Sequence, residues 1–141
     1  MTAAELWERS GLTGRYEAWA FGGAPDKLAE LTAKGLKTAT SSALSLFRAS
    51  QEPLPQAGDY SVILDSKGNA VCIIRTTNVY VTRFDQVPEV HAIMEGEGDL
   101  SLDYWRSVHE EFFTEELRSI GLRFGPDMDV VCEAFELAYV E

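Results

Sequence analysis

The stretch from Ala70 to Phe84 constrains the fold of this chain more than any other. It is dominated by β-branched, aromatic and other apolar residues and contains neither Gly nor Pro, so it reads as one long strand. In its first half Val71, Ile73 and Arg75 alternate with Cys72, Ile74 and Thr76, which leaves two apolar faces and predicts a central position in a sheet. In its second half, Asn78 to Thr82, the alternation is strict. Asp65-Ser66-Lys67-Gly68-Asn69 supplies the hairpin loop before it. The preceding strand, Tyr60 to Leu64, is entered through Gly58-Asp59 after an extended linker set by Pro53 and Pro55. Asp129 to Tyr139 is a further β-like run.

Helices intervene. The sequence predicts them near Ala3 to Arg9 and from Pro25 to Lys34, the latter with Pro25 at a first helical position and Gly35 as the stop. Leu36 to Ser42 is an extended piece that runs into a helix over Ala43 to Ala49, opened by a hydroxyl cap. A short helix is expected near Gln86 to Met94. Leu102, Trp105, Phe112, Phe113, Leu117 and Ile120 then mark an amphipathic helix that ends at Gly121. Hairpins dominate over crossovers, so the fold class expected is α+β, around a small, mixed to largely antiparallel sheet or barrel with flanking helices. With 141 residues and no repeat or low-complexity tract, residues 1–141 read as one domain.

The charge balance narrows the partners. Twelve Lys+Arg against 23 Asp+Glu give a formal net charge of −11, which disfavours binding duplex DNA by neutralising phosphates. No apolar run approaches the length of a membrane span, and Met1 to Arg9 lacks the basic start and apolar centre of a signal peptide, which points to the cytoplasm. Cys72 and Cys132 sit in apolar β-like runs and read as buried thiols. Oligomeric state is not legible.

Chemistry concentrates in three places. Lys37, Thr38, Thr40, Ser41 and Ser42 place one cation and four hydroxyls within six positions, and a helix start at Thr40 to Ser42 would add backbone amides for a negative or carbonyl oxygen. The plainer reading is a cap with a solvated lysine. Glu95-Gly96-Glu97-Gly98-Asp99 gathers three carboxylates, either as a solvated connection with Asp99 or Ser101 capping the next helix, or as a loop that holds one Glu over a pocket. Tyr16, Trp19 and Phe21 form an aromatic group that reads either as core or as a surface for a base. His91 and His109 fit no metal-ligand spacing, and His109, four residues after Trp105, reads as a packed histidine. Neither a metal nor a cofactor is called for, and the common phosphate-loop, dinucleotide and nucleophile-elbow motifs are missing.

Five blocks in order, Tyr16 to Gly22, Gly35 to Ser42, Gly58 to Val62, Glu95 to Asp99 and Ser101 to Arg106, resemble the ASCH domain family. The resemblance runs from about Tyr16 to Tyr139, and its most characteristic piece is Gly35, Lys37 and Thr40 in a G-x-K-x-x-T element. It implies a PUA-like β-barrel with flanking helices and a cleft associated with RNA or modified nucleosides. One small member of the family is an amidohydrolase that deacetylates acetylated cytidine with a Lys, a Thr three residues on, and a Glu. Those roles fall on Lys37, Thr40 and either Glu95 or Glu97. Another member is a ribonuclease.

The expectation is therefore a metal-independent amidohydrolase of an acylated nucleoside such as N-acetylcytidine. Lys37, Thr40 and one of Glu95 and Glu97 carry the reaction, and Tyr16, Trp19, Phe21, Thr38, Ser41 and Ser42 contact the substrate. Two chemistries fit: Thr40 attacks with neutral Lys37 as base, or the Glu activates water while Lys37 stabilises the oxyanion. A carboxylate within about 4 Å of the amine selects the second, because it keeps Lys37 charged. The alternatives are a module that binds a nucleoside or single-stranded RNA, and a metal-independent ribonuclease.

Overall fold

A computed structural model describes residues Met1 to Glu141. Five strands form a single sheet: β1 (Tyr16–Ala20), β2 (Ala39–Ala43), β3 (Tyr60–Leu64), β4 (Ala70–Arg83) and β5 (Asp129–Tyr139), in the order β1-β3-β4-β5-β2. β4 is central, as its two apolar faces predict. The sheet is mixed: β1 runs parallel to β3, and the other three pairings are antiparallel. β1 was visible in the sequence only as an aromatic group. β4 spans two neighbours, pairing with β3 from Ala70 to Arg75 and with β5 from Ile73 to Arg83. Its register against β5 shifts at Ile73/Ile74 and again between Thr76 and Asn78. Such irregularities bend a strand and increase its twist, and here the sheet curls into a half-barrel, open between β1 and β2.

The helices are α1 (Ala3–Ser10), α2 (Pro25–Ala33), α3 (Leu44–Ser50), α4 (Glu89–Glu95) and α5 (Leu102–Ser119), with a single 3-10 turn at Phe84–Gln86. Thr2 and Glu5 close a capping box on α1, and Gly11 in the left-handed region ends it. Leu6 of α1 packs on Val62 and Ile73. Leu28 and Ala29 of α2 pack with Phe21, Ile63, Cys72, Ile74 and Phe135. The largest cluster lies where α4 and α5 meet β2 and β5, and includes Ala43, Phe84, Val87, Ala92, Trp105, Phe113, Leu117, Val130 and Cys132. Both cysteines are free and buried, and burial pushes each thiol up to about 12.

One local expectation fails, and the failure matters for the site. Thr40, Ser41 and Ser42 do not start a helix: they are the middle of β2, paired with Glu133, Cys132 and Val131 of β5. α3 begins after them, with Ala43 at its cap position and no side-chain cap. No helix-start amides are therefore available at Thr40 to Ser42. Ser and Thr suit a helix cap locally, but here the β5 backbone supplies their partners, and tertiary pairing overrides the local preference.

A candidate active site around Lys37 and Glu95

Period-two geometry sorts the hydroxyls of β2. Ala39, Ser41 and Ala43 are buried on one face, while Thr40 and Ser42 lie on the other and are only partly buried. Ser41 thus turns toward α4 and α5. Lys37 precedes the strand on a backbone held from both sides: the Thr38 amide donates to Met94 carbonyl (2.7 Å), and the Phe135 amide donates to Thr38 carbonyl (2.9 Å). Gly35, with φ of +75°, makes the turn out of α2 that a side-chain-bearing residue would resist.

α4 buries His91, Ala92 and Glu95, so His91 and Glu95 share a face one turn apart. Gly96, with φ of +72°, ends the helix and lies against the Leu36 carbonyl. On α5 the buried residues Trp105, His109, Phe113 and Leu117 recur every four positions. The Trp105 and His109 rings stack at 4.3 Å with their planes 16° apart. That stack aims an indole N–H and an imidazole nitrogen at the end of α4.

All these groups converge on the Glu95 carboxylate. Its Oε2 accepts from Ser41 Oγ (2.5 Å), Trp105 Nε1 (2.6 Å) and His91 Nε2 (2.9 Å). Its Oε1 faces Lys37 Nζ at 3.3 Å and His109 Nε2 at 3.4 Å. A carboxylate offers about four lone-pair positions, so this one is saturated. Burial opposes its charge and is the largest single effect on it. The hydrogen bonds from His109 and His91, with the Lys37 charge, outweigh that effect and hold the carboxyl well below its ordinary range. The same donors offset the unfavourable placement of an anion in the last turn of a helix.

Lys37 Nζ also reaches Glu97 Oε2 at 3.4 Å and stands 5.1 Å from the centre of the Phe21 ring. The side chains of Lys37 and Glu95 are 1% and 2% exposed, whereas that of Glu97 is 20% exposed. Glu97 is thus the carboxylate through which the cluster meets solvent. Two surface cavities, of about 830 and 600 Å³, lie beside α3 and at the end of α5, and neither is lined by a residue of the cluster.

Ser41, His91 and Glu95 do not form a nucleophile relay, because the same imidazole nitrogen meets both partners. Ser41 Oγ gives its hydrogen to Glu95, so its lone pairs face His91 Nε2 at 2.7 Å, and that nitrogen must carry a hydrogen. A histidine protonated on that side cannot take the serine proton.

The structure brings together Lys37, Glu95, Glu97, Ser41 and Phe21 from the expected set. Thr38 lies beside them, its Oγ1 donating to Met94 carbonyl at 3.3 Å. Thr40 is placed opposite Glu133 in the β2–β5 register, and Ser42 opposite Val131. Tyr16 packs on Trp7 at 4.7 Å, away from Phe21, while Trp19 meets the Phe21 ring edge-on at 4.9 Å. Ser101 is the side chain that caps α5. The sequence reading missed the parts of His91, Trp105 and His109. Each stands four residues from a partner, and on an apolar helix face that spacing looks the same as core packing.

The ASCH domain model matches residues 17–139. No curated protein matches the sequence. Among solved structures, an ASCH domain from Lactobacillus crispatus JV V101 is similar at 30% identity and a TM-score of 0.90, covering 96% of this chain and 93% of that one. The protein EF3133 from Enterococcus faecalis V583 is 36% identical with a TM-score of 0.82, over 95% of this chain and 83% of its own. A Zymomonas mobilis ASCH protein, crystallised as a mutant, shares the fold at 13% identity and a TM-score of 0.52, over 86% and 70%.

Proposed function

The chain belongs to the ASCH domain family, and on that premise we propose that it hydrolyses the amide bond of an acylated nucleoside, with Lys37 and Glu97 as the reacting pair. The observation that carries this reading is the division of labour between two carboxylates on one ammonium. Glu95 is saturated and buried, and has no lone pair left for a proton in transit. Glu97 makes one contact to Lys37 and reaches solvent. Carboxylates at 3.3 and 3.4 Å face Lys37 Nζ from two sides, a setting that suits an amine that donates to an oxyanion better than one that takes a proton, and so favours the water-activating chemistry.

In that chemistry the substrate carbonyl oxygen takes the place of Glu97 on Lys37. The displaced Glu97 accepts a proton from water, and the hydroxide adds to the carbonyl carbon. The Lys37 ammonium stabilises the resulting oxyanion. Glu97 then returns the proton to the exocyclic nitrogen as the C–N bond breaks, releasing the nucleoside amine and a carboxylic acid. Phe21, with its ring centre 5.1 Å from the Lys37 amine, and Thr38 are the substrate contacts this reading places beside the reacting pair. A nucleoside suits this site better than a long RNA, because the net charge of −11 repels a polyphosphate over most of the surface.

The test is hydrolysis of N-acetylcytidine by the purified protein, followed by ultraviolet absorbance. Turnover that falls about 10²-fold or more in Glu97→Gln is the expected result. Absence of turnover, or full activity in Lys37→Ala, would overturn the reading. The near-complete burial of Lys37 favours a second reading, a nucleoside-binding module without turnover. That module would bind cytidine or single-stranded RNA and release no acid.

A further inference from the structure

We propose that His109 is a doubly protonated positioning residue, the second cation of the site, which sets how much of the Lys37 ammonium remains for a bound ligand. The argument is one of donors and acceptors. His109 Nδ1 lies 2.9 Å from the Trp105 carbonyl oxygen, and its Nε2 lies 3.4 Å from Glu95 Oε1. A backbone carbonyl and an ionised carboxylate only accept. A neutral imidazole carries one N–H, so it would turn a lone pair toward one of these two oxygens. The imidazolium avoids this, bonding the Trp105 carbonyl through Nδ1 and facing Oε1 as an ion pair, and it stacks on the Trp105 ring, whose face attracts a cation.

The surroundings agree. α4 presents Glu95 to this ring and the following loop brings the charge of Glu97 near it, while His91 and Lys37 face the same Glu95 carboxylate. From the sheet, Tyr80 and Cys132 approach Glu95, and burial first of all pushes both up to about 12, so they stay neutral. Without His109, the buried Glu95 and the part-buried Glu97 share one lysine. A protonated His109 gives the buried Glu95 a second cation and leaves part of the Lys37 charge to Glu97. Burial is the largest effect on His109 itself and opposes its charge, but the contacts to Glu95 prevail and raise it above its ordinary value.

The positioning role follows from a shared atom. Lys37 and His109 face the same oxygen, Oε1, from 3.3 and 3.4 Å. When His109 loses its proton, the pull of Oε1 on Lys37 grows, and the ammonium is drawn toward Glu95 and away from Glu97 or a ligand. The consequence for a ligand rests on the proposed function, whereas the protonation state does not.

Nitrogen-15 NMR of the intact wild-type protein tests this. An unperturbed histidine is about one-quarter charged at pH 7. The expected result is that most His109 rings carry both protons at that pH, and that the Lys37 Nζ resonance shifts with the same midpoint as the ring. A charged fraction of one-quarter or less, or a Lys37 signal that ignores the His109 titration, would overturn the proposal. His109→Gln keeps an N–H toward Glu95 and removes the charge, so the step in the Lys37 signal is expected to vanish; its persistence would count against the idea as firmly. If that variant does not fold, the wild-type spectra decide alone. Neither measurement needs a substrate, so a protein without turnover would defeat the proposed reaction and not this assignment.

Discussion

Glu95→Gln is the substitution whose effect the structure states most directly. Glutamine replaces one acceptor oxygen by an NH₂ donor. If the NH₂ takes the place of Oε2, it confronts Ser41 Oγ, Trp105 Nε1 and His91 Nε2; if it takes the place of Oε1, it confronts Lys37 and His109. In either orientation Lys37, at 1% exposure, keeps only Glu97 as a counter-charge. Removing one partner of a buried ion pair costs about 3–5 kcal/mol, against a total stability of about 5–15 kcal/mol for a domain. At about 2–4 °C per kcal/mol for a chain of this size, Tm falls by about 6–20 °C. Urea unfolding followed by tryptophan fluorescence, with calorimetry alongside, measures both quantities. Because the folded Glu95 lies well below its ordinary 4.5, its stabilisation is present above pH 4.5 and is lost as pH falls through the folded value. The gap between wild type and variant is therefore wide at pH 7 and closes on acidification. A variant within about 1 kcal/mol of wild type at pH 7, or a gap that is constant with pH, would refute the claim that five donors converge on an ionised carboxylate.

Three further outcomes follow from the same geometry. His109 is raised in the folded state, so its contribution is complete below pH 6.5 and is lost as pH rises through the folded value; Tm measured from pH 6 to 9 should decline less in His109→Gln than in wild type. Gly96→Ala places a Cβ against the Leu36 carbonyl at a φ of +72°, and urea unfolding should show a loss of about 2 kcal/mol or more. Glu133 is raised first by burial, then by Asp59 and Glu17, against the hydrogen bond from Thr76, so its burial cost appears as pH rises through the folded value. Glu133→Gln should raise Tm by about 2–4 °C at pH 8 and leave it unchanged at pH 4, as calorimetry at the two pH values will show.

The parts of the fold that could be read in the sequence are those whose signals are local. β3 (Tyr60–Leu64) and β5 (Asp129–Tyr139) match their expected bounds, and β4 runs to Arg83, one residue short, because alternation and turn residues are written within each stretch. β1 could not be read in this way: five residues bounded by Gly22-Gly23 carry too little periodicity, and the parallel partner β3 lies beyond the whole of α2. β2 shows the opposite failure. Its hydroxyls give a strong local signal for a helix cap, and only the distant β5 backbone reverses it.

The candidate site divides along the same line. Lys37, Glu95 and Glu97 stand in two sequence blocks and were legible through a family resemblance. Their unequal roles were not, because adjacency in a glycine-rich loop gives no hint that one carboxylate closes a helix inside the core while the other faces water. What sets them apart is the pair of helix faces around them. His91 and Glu95 on α4, and Trp105 and His109 on α5, each place polar atoms one turn apart on a stripe that is otherwise apolar. Either stripe alone is an ordinary packed face. Packed together over β2 they form one network, since a buried carboxylate needs donors and a buried histidine or indole needs an acceptor. A glutamate one turn after a histidine on one short apolar helix, with a tryptophan and histidine one turn apart on the next, is therefore a joint signal. Two stripes that each carry an unmatched donor or acceptor must satisfy one another, and the lysine that enters between them finds its buried counter-charge in that closure.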